Sequence, residues 1–329
     1  MANYNQNAGY GQALLNMVAS RVPAFGNIFI VMNAANTDEG NYKILQDVFP
    51  PDADGRVRFY TSLASAYAAC ESNNNDVVLL DGNSSHALTE MLTVAKNRVH
   101  FFGMDGGGRI VSQGAKITLA TSEVTDTAVI KNTGTRNTYR NLKIVMSGTN
   151  AAQVNAMEDS GEGTYCENVH FSHTTLLTTV GVSALHFKGD TCNYKHCQIG
   201  DATIYRTGAA QMACRLGEYA RYSYFENCEF VNASSETTAM LVGTTSVTSV
   251  IGFIKFTRCG FNGALLADGT TAGGSPAVAV VAALDSGYIL LDECSSYNCD
   301  IIASTDTCIL NKAQASAATA GGGLSVAGA

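Results

Sequence analysis

Six short segments of the chain repeat one arrangement of apolar and polar residues. In each, the first and fourth residues are apolar and the two between them are polar. The segments are 139–144 (YRNLKI), 166–171 (CENVHF), 194–199 (YKHCQI), 225–230 (FENCEF), 256–261 (FTRCGF) and 291–296 (LDECSS). Their fourth residues follow one another at spacings of 27, 28, 31, 31 and 35 residues. Repetition at this length predicts a solenoid in which each repeat forms one coil.

The stretches between the repeats predict β-strands rather than helices. Runs such as 183–188 (SALHFK), 251–256 (IGFIKF) and 277–281 (AVAVV) alternate or are wholly apolar, and glycines separate them. Helical repeats keep a nearly fixed length, whereas this period varies. A parallel β-helix accommodates the variation, because its strands pair from coil to coil while extra residues loop out sideways. The pattern therefore predicts an all-β solenoid.

Each repeat also predicts a bend at its centre. Its first and fourth residues both read as buried, yet side chains alternate along a strand with a period of two. A bend on the two middle residues resolves the conflict, and asparagine is enriched in the left-handed conformation that such a bend demands. The second middle residues are Asn141, Asn168, His196, Asn227, Arg258 and Glu293. We expect the cysteines at position four to form a buried, reduced ladder with a step of about 4.8 Å, made of Cys197, Cys228, Cys259 and Cys294.

The stretch before the first repeat predicts a cap for the solenoid. Residues 61–71 read as a helix that Thr61 or Ser62 can cap. Strand-like runs follow at 76–80 (DVVLL), 88–94 and 98–103 (RVHFFG). This series resembles the opening of right-handed parallel β-helix proteins of the pectate-lyase-like superfamily, in particular those encoded in the head and tail modules of tailed phages. The resemblance covers about residues 56–308 and implies a right-handed parallel β-helix with an N-terminal helix cap.

Two segments fall outside the repeat and predict terminal arms. We expect residues 1–55 to form an N-terminal arm or attachment segment, 56–310 the β-helix and 311–329 a low-complexity tail. The N-terminal arm contains an apolar strand at 28–32 and a short helix at 42–49, which Pro50 and Pro51 end. Two dissimilar arms on a rigid stalk suit a protein that assembles into a particle, but they equally suit a solenoid that must cover its ends.

Composition excludes several classes of partner. The 329 residues carry a net charge of −8, which disfavours nucleic acid and anionic membranes, because both require a basic surface. No apolar run reaches the roughly 18 residues of a membrane span. The polar start lacks the basic and apolar regions of a secretory signal. Ten cysteines without close pairing are typical of reduced, buried thiols, so we expect assembly in a host cytoplasm.

The acidic residues do not form an evident catalytic pair. Glycan-cleaving enzymes need two carboxylates, or a carboxylate cluster that holds calcium. The motifs of polygalacturonases and the Gln-Asp-Thr motif of pectin methylesterases are absent. No acid recurs at one position of adjacent coils, so no catalytic residue is predicted, although a tailspike-type glycosidase follows no fixed spacing. The acids considered are Glu158, Asp159, Glu162, Asp190, Asp201, Glu218 and Glu226.

Candidate metal and nucleotide sites are equally weak in the sequence. His170 and His173 lie near Cys166, but zinc sites usually pair Cys and His more tightly. His170 alternates with inward-facing neighbours, so we expect it to face solvent. The glycine-rich stretch 103–108 lacks the Gly-Lys-Ser/Thr ending of a phosphate-binding loop and is expected to be a turn, and no G-x-S-x-G elbow occurs. No metal, cofactor or cofactor-binding residue is therefore predicted.

The run 277–284 is apolar on both strand faces, and this suggests self-association. One face can line the interior, and the other must be covered by a neighbouring subunit or by a loop of the same chain. We expect a homotrimer that meets through Ala277, Val278, Val280 and Leu284. With the phage-like opening, the sequence predicts a structural virion protein, such as a capsid decoration protein or a head or tail appendage. The alternatives are a tailspike-like protein that binds or cleaves glycans, and a cellular adhesin.

Overall fold

The computed structural model of the chain is a parallel β-helix, which confirms the predicted fold class. The structure describes residues 26–32, 51, 55, 57–82, 85–104, 114–119, 127–147, 154–173, 181–206, 211–234, 240–244, 246, 248–264, 277–280, 284, 286–297, 299 and 309–311. Within these residues it contains 24 strands and one short helix, α1 (Leu63–Ala69). None of the helical structure in this part of the chain is long and apolar enough to span a membrane.

Seventeen strands form the long sheet, and all their pairings are parallel. They are β1 (Ile28–Val31), β2 (Phe59–Tyr60), β3 (Asp76–Leu80), β4 (Ser85–Leu88), β6 (Val99–Gly103), β7 (Lys116–Leu119), β9 (Thr138–Met146), β11 (Tyr165–His173), β13 (Asn193–Lys195), β14 (Gln198–Arg206), β16 (Ser223–Glu226), β17 (Glu229–Ser234), β19 (Ile251–Thr257), β20 (Gly260–Ala264), β22 (Ser286–Asp292), β23 (Ser295–Tyr297) and β24 (Ile309–Asn311).

Seven strands form the short sheet, which runs along another side of the solenoid. They are β5 (Leu92–Val94), β8 (Ala128–Asn132), β10 (Asn155–Asp159), β12 (Ser183–Phe187), β15 (Met212–Leu216), β18 (Met240–Thr244) and β21 (Val278–Ala279). They pair in chain order, each with the equivalent strand of the next coil. One coil therefore contributes to both sheets before the chain begins the next coil.

The predicted bend is present in all six repeats. The second middle residue has a φ between 51° and 55° in every repeat, whether it is asparagine or one of the three other residue types. The bends stack, and the Asn168 side-chain amide donates to the Asn141 side-chain oxygen at 2.8 Å. The strand register on either side of the bend places Cys197 opposite Cys228, and the same holds along the rest of the ladder. These cysteines are buried free thiols, so the predicted ladder is confirmed.

A second stack of left-handed residues lies at the turn that precedes the repeat, and the sequence analysis did not predict it. Each residue comes three positions before the first residue of a repeat or of its equivalent in an earlier coil. Their φ angles lie between 49° and 66°, at Arg98, Arg136, Gly163, Thr191 and Tyr222. The five comprise four residue types and include no asparagine, so the preference that indicated the first bend gave no signal here.

The start of the solenoid differs in detail from the prediction. The strand expected within the N-terminal arm is present as β1 and pairs with β2 and β3, so it belongs to the long sheet. Helix α1 begins after Ser62, whose side chain makes no capping hydrogen bond. The expected strand 88–94 is divided between β4 and β5, which lie in different sheets. The expected helix at 42–49 and the tail after residue 311 lie outside the described residues.

Aromatic rings stack along the interior from coil to coil. Tyr194 lies 4.8 Å from Phe225 between ring centroids, and Phe225 lies 5.0 Å from Phe256. Phe230 and Phe261 stack beside them at 5.2 Å. These distances are close to the strand spacing, because each ring occupies the same position of its coil. The rings and the thiol ladder together fill the core that holds the two sheets apart.

Candidate binding surface

Asp159 lies inside the solenoid rather than on a surface open to substrate. Its carboxylate accepts hydrogen bonds from the Tyr194 hydroxyl at 2.5 Å and the Asn132 amide at 2.7 Å. The Gly161 backbone N–H and the Thr164 hydroxyl donate at 3.0 and 3.1 Å. Burial raises the pKa of Asp159, and the four hydrogen bonds oppose that shift. A buried group with this many partners connects neighbouring coils, which is a structural role.

Ion pairs between coils engage two more of the acids considered. Glu226 pairs with Lys195 at 3.0 Å on the long sheet. Glu158 on the short sheet lies 3.4 Å from Lys188 and 3.8 Å from Lys131. All of these contacts join charged atoms of different coils. Because a lysine holds each carboxylate, neither is presented alone to solvent.

The expectation that no two acids are neighbours is wrong for Glu162 and Asp190. The two residues face each other as a parallel bridge between adjacent coils, and Asp190 also bridges Arg221 in the following coil. All three lie four positions before the first residue of their repeat. The sequence comparison missed this equivalence because it covered only the six residues of each repeat. Asp190 Oδ2 accepts from Arg221 Nε and Nη2, both at 2.8 Å. The guanidinium therefore ties Asp190 to the coil that follows.

The expectation that His170 faces solvent is also wrong, since His170 is 1% exposed. Alternation along β11 places it on the outer side of the strand, but Gly200 of the next coil lies against it, with the Gly200 carbonyl 3.0 Å from His170 Nε2. Burial, together with the charge of Lys143, lowers the pKa of His170 to about 4. Asp201, which follows Gly200 in the chain, accepts a hydrogen bond from the Ser172 hydroxyl at 2.9 Å.

The three residues considered as metal ligands do not form a described site. Cys166 lies in the core, where burial raises the pKa of its thiol, whereas His170 lies on the outer side of the same strand. The side chain of His173 and most of the glycine-rich stretch lie outside the described residues. Across the part of the chain that is described, no group of three or more His, Cys, Asp or Glu side chains could hold a metal ion.

Four aromatic residues that the sequence analysis did not single out form an exposed cluster on the long sheet and at the turn just before β16, here called the tyrosine surface. Its members are Tyr222, Tyr224, Phe253 and Tyr288. The tyrosines are 44%, 38% and 52% exposed. The Phe253 ring contacts Tyr222 and Tyr224 edge to face, at 5.6 and 5.5 Å between centroids. Phe253 also pairs with Tyr288 in the strand register. Clustered exposed rings are typical of a binding surface.

Gly252 makes room for the first of these rings. A Cβ at Gly252 would lie 2.5 Å from the Tyr222 ring, and its φ of +82° favours glycine. The ring therefore lies directly on the glycine backbone. Two ion pairs border the surface, the pair of Lys195 with Glu226 and that of Lys255 with Asp292 at 2.9 Å. Since each cation has an anionic partner, the border carries little net charge.

The residues expected at a trimer contact are largely covered by their own chain. Ala277 and Val278 are 1% and 0% exposed, and Val278 belongs to β21 of the short sheet. Val280 and Leu284 are partly buried and pack against the core. Residues 281–283 lie outside the described residues. The homotrimer stays a prediction, and the apolar surface that remains for it among these four residues is smaller than the sequence suggested.

Comparison with known proteins supports the fold. No protein-family model matches the sequence, and no curated protein matches it. A pectin methylesterase from Aspergillus niger in deglycosylated form is similar in structure, with a TM-score of 0.51 and 15% identity over 88% of this chain and 82% of that chain. Its penultimately deglycosylated form gives 0.50 and 16% over 89% and 83%. The pectin methylesterase PemA from Erwinia chrysanthemi gives 0.45 and 10% over 88% and 93%. The two Aspergillus structures, at 15% and 16% identity, share the architecture of this chain, and the likeness says nothing about its activity.

Proposed function

We propose that the chain is a structural component of a tailed-phage particle, a trimeric capsid decoration protein or a head or tail appendage, and that it is not an enzyme. One observation supports the proposal that the chain is not an enzyme. Five of the seven acids considered are engaged within the chain, either by hydrogen bonds or by ion pairs. Cleavage of a glycosidic bond requires two carboxyl groups that face the substrate. The five engaged acids are Glu158, Asp159, Asp190, Asp201 and Glu226.

The first part rests on the sequence resemblance of the opening segments and on the construction of the solenoid. Stacked rings, thiols and bends repeat in the coils that contain β13, β16 and β19, and the thiols and bends continue in the coil of β22. Ion pairs join coils on the outside. A rod held at so many equivalent points is stiff, which suits a protein that stands on a particle. Terminal segments beyond the repeat would then provide the attachment.

Mass spectrometry of purified particles from the source of the gene tests this proposal. Hundreds of copies per particle would support capsid decoration, and a small number would support an appendage. Absence of the chain from washed, intact particles would overturn the proposal. Light scattering on the purified protein tests the trimer, because a mass near three times 34.6 kDa is expected and a mass of 34.6 kDa would contradict it.

The tyrosine surface favours a second candidate function, the binding of a neutral glycan. Aromatic faces pack against the apolar faces of sugar rings, while the tyrosine hydroxyls bond the sugar hydroxyls. The bordering lysines are already paired with carboxylates, so the surface offers no net positive charge to an acidic polysaccharide. A glycan bound here would lie across adjacent coils, along the rings of Tyr222, Phe253 and Tyr288.

A glycan array followed by calorimetry on the best neutral oligosaccharide tests the second function. The double variant Tyr222→Ala with Tyr288→Ala should lower affinity at least tenfold. Tyr297→Ala is the matched control, since Tyr297 is 67% exposed and lies on β23, outside the cluster. Equal affinity in the double variant and the control would contradict this function. Release of reducing ends from the bound oligosaccharide would instead identify a cleaving enzyme.

A further inference from the structure

Exposed aromatic side chains are concentrated on one part of the solenoid. Among the residues that the structure describes, six large apolar or aromatic side chains are exposed, and three of them belong to the tyrosine surface. Of the other three, Val57 lies before β2 and Tyr297 on β23, both outside the cluster, whereas Tyr219 lies three positions before Tyr222. A concentration of this kind marks a contact with another molecule.

The rings of this surface follow one line from coil to coil. Tyr222 and Tyr224 belong to one coil, Phe253 to the next and Tyr288 to the one after that. The Phe253 ring contacts both tyrosines of the preceding coil. Because coils stack along the axis of a solenoid, this line of rings runs along the axis. A second solenoid that lies alongside the first can therefore contact rings of all three coils at once.

The charges at the border of the surface allow two identical copies to meet there. Lys195 and Lys255 each pair with a carboxylate of a neighbouring coil, at 3.0 and 2.9 Å. The guanidinium of Arg221, which precedes Tyr222 in the chain, pairs with Asp190 at 2.8 Å. Copies of a chain with a net charge of −8 repel one another unless their contact contains little unpaired charge. Aromatic residues and arginine are also the residue types that are enriched where proteins meet.

We infer that the tyrosine surface is the place where copies of this chain meet, with Tyr222, Phe253 and Tyr288 at the centre of the contact. The inference rests on the trimer proposed above. It replaces the contact that the sequence suggested, since Ala277 and Val278 are buried within their own chain. In a closed ring of three parallel solenoids, the tyrosine surfaces of all copies face the common axis and cover one another. A neutral glycan is the competing occupant of the same rings.

Sedimentation equilibrium of charged variants tests the inference. The double variant Tyr222→Asp with Tyr288→Asp places carboxylates at the centre of the contact, and loss of one central aromatic anchor weakens an interface by about thirtyfold or more. At the lowest concentration where the wild type has a mass near three times 34.6 kDa, the double variant should have a mass of 34.6 kDa. Val57→Asp with Tyr297→Asp is the matched control and should stay associated, since these side chains are 58% and 67% exposed and lie outside the surface.

Tyrosine iodination of the wild type, read by peptide mass spectrometry, needs no variant and therefore decides the question even if the double variant does not fold. Tyr222 and Tyr288 should react clearly more slowly than Tyr297 in the associated protein.

Three results would overturn the inference while leaving the trimer in place: an unchanged mass in the double variant, an equal loss of association in the control, or full reactivity of Tyr222 and Tyr288 in the associated protein. A monomeric wild type would overturn both the inference and the trimer, whereas the composition of purified particles would still decide whether the chain belongs to a particle. Protection of the two rings only after addition of a neutral oligosaccharide would assign the surface to the glycan instead.

Discussion

The stacked bends make a specific prediction about Asn168, which has a φ of 55° in the middle of β11. Replacement by alanine removes two contributions at once. It places a side chain that tolerates the left-handed region poorly at a position that requires it. It also removes the amide that donates to Asn141 in the preceding coil at 2.8 Å.

The two contributions have similar sizes. Left-handed strain in a residue other than glycine or asparagine costs about 1 kcal/mol. A half-buried amide hydrogen bond contributes about 1 kcal/mol. Asn168→Ala should therefore lower the free energy of unfolding by about 2 kcal/mol, while Asn168→Gly, which keeps the conformation and loses only the hydrogen bond, should lower it by about 1 kcal/mol.

Urea unfolding monitored by circular dichroism measures these differences, provided that the variants have the same m-value as the wild type. Asn262→Ala is the control, because Asn262 lies in β20, where the backbone φ is not positive, and should change stability by less than about 0.5 kcal/mol. The reasoning is refuted if Asn168→Gly is as destabilising as Asn168→Ala, since strain would then contribute nothing, or if neither variant differs from Asn262→Ala.

Four other residues of the solenoid each give a prediction of their own. Glu293→Gly should raise the free energy of unfolding by about 1 kcal/mol, because Glu293 is exposed at a φ of 55°; an unchanged urea midpoint would contradict this. Asp159 has a raised pKa in the folded protein, so wild-type stability has a component that is present below about pH 4 and is lost as the pH rises through that pKa. Asp159→Asn should remove this component, as urea midpoints between pH 4 and pH 8 would show. Burial raises the pKa of the Cys228 thiol, so this residue should resist a thiol reagent at pH 8 in the native protein and react after denaturation, as peptide mass spectrometry would record. Gly252→Ala should displace the Tyr222 ring and change the near-ultraviolet circular dichroism; an identical spectrum would argue against the close approach.

The sequence was informative wherever one residue type served one conformation. Asparagine at three of six bends and cysteine at four ladder positions indicated the coil, the bend and the interior. The second stack could not be found in this way, because residues as different as Arg136, Gly163 and Tyr222 occupy it. Its backbone is fixed by hydrogen bonds between coils, such as Arg136 N–H to the Glu162 carbonyl at 2.7 Å, and these do not depend on side-chain type.

The candidate sites were less predictable, because they depend on what lies beside a residue in the next coil. Alternation along β11 placed His170 on the outer side of its strand, and only the position of Gly200 reveals that it is covered. The tyrosine surface combines residues about 30 positions apart, which become neighbours only when the register is known.

The repeated bend has a consequence for how proteins of this construction change in length. The segment 228–258 begins just after one bend residue and ends on the next, at Arg258. Its removal would join Asn227 to Cys259 and restore a complete repeat, FENCGF. Cys259 would then lie next to Cys197 in the interior, in the place of the removed Cys228, so the residue type at that position would be unchanged. Whole coils can thus be gained or lost by duplication or deletion of a gene segment, so the height of the rod can evolve separately from its cross-section.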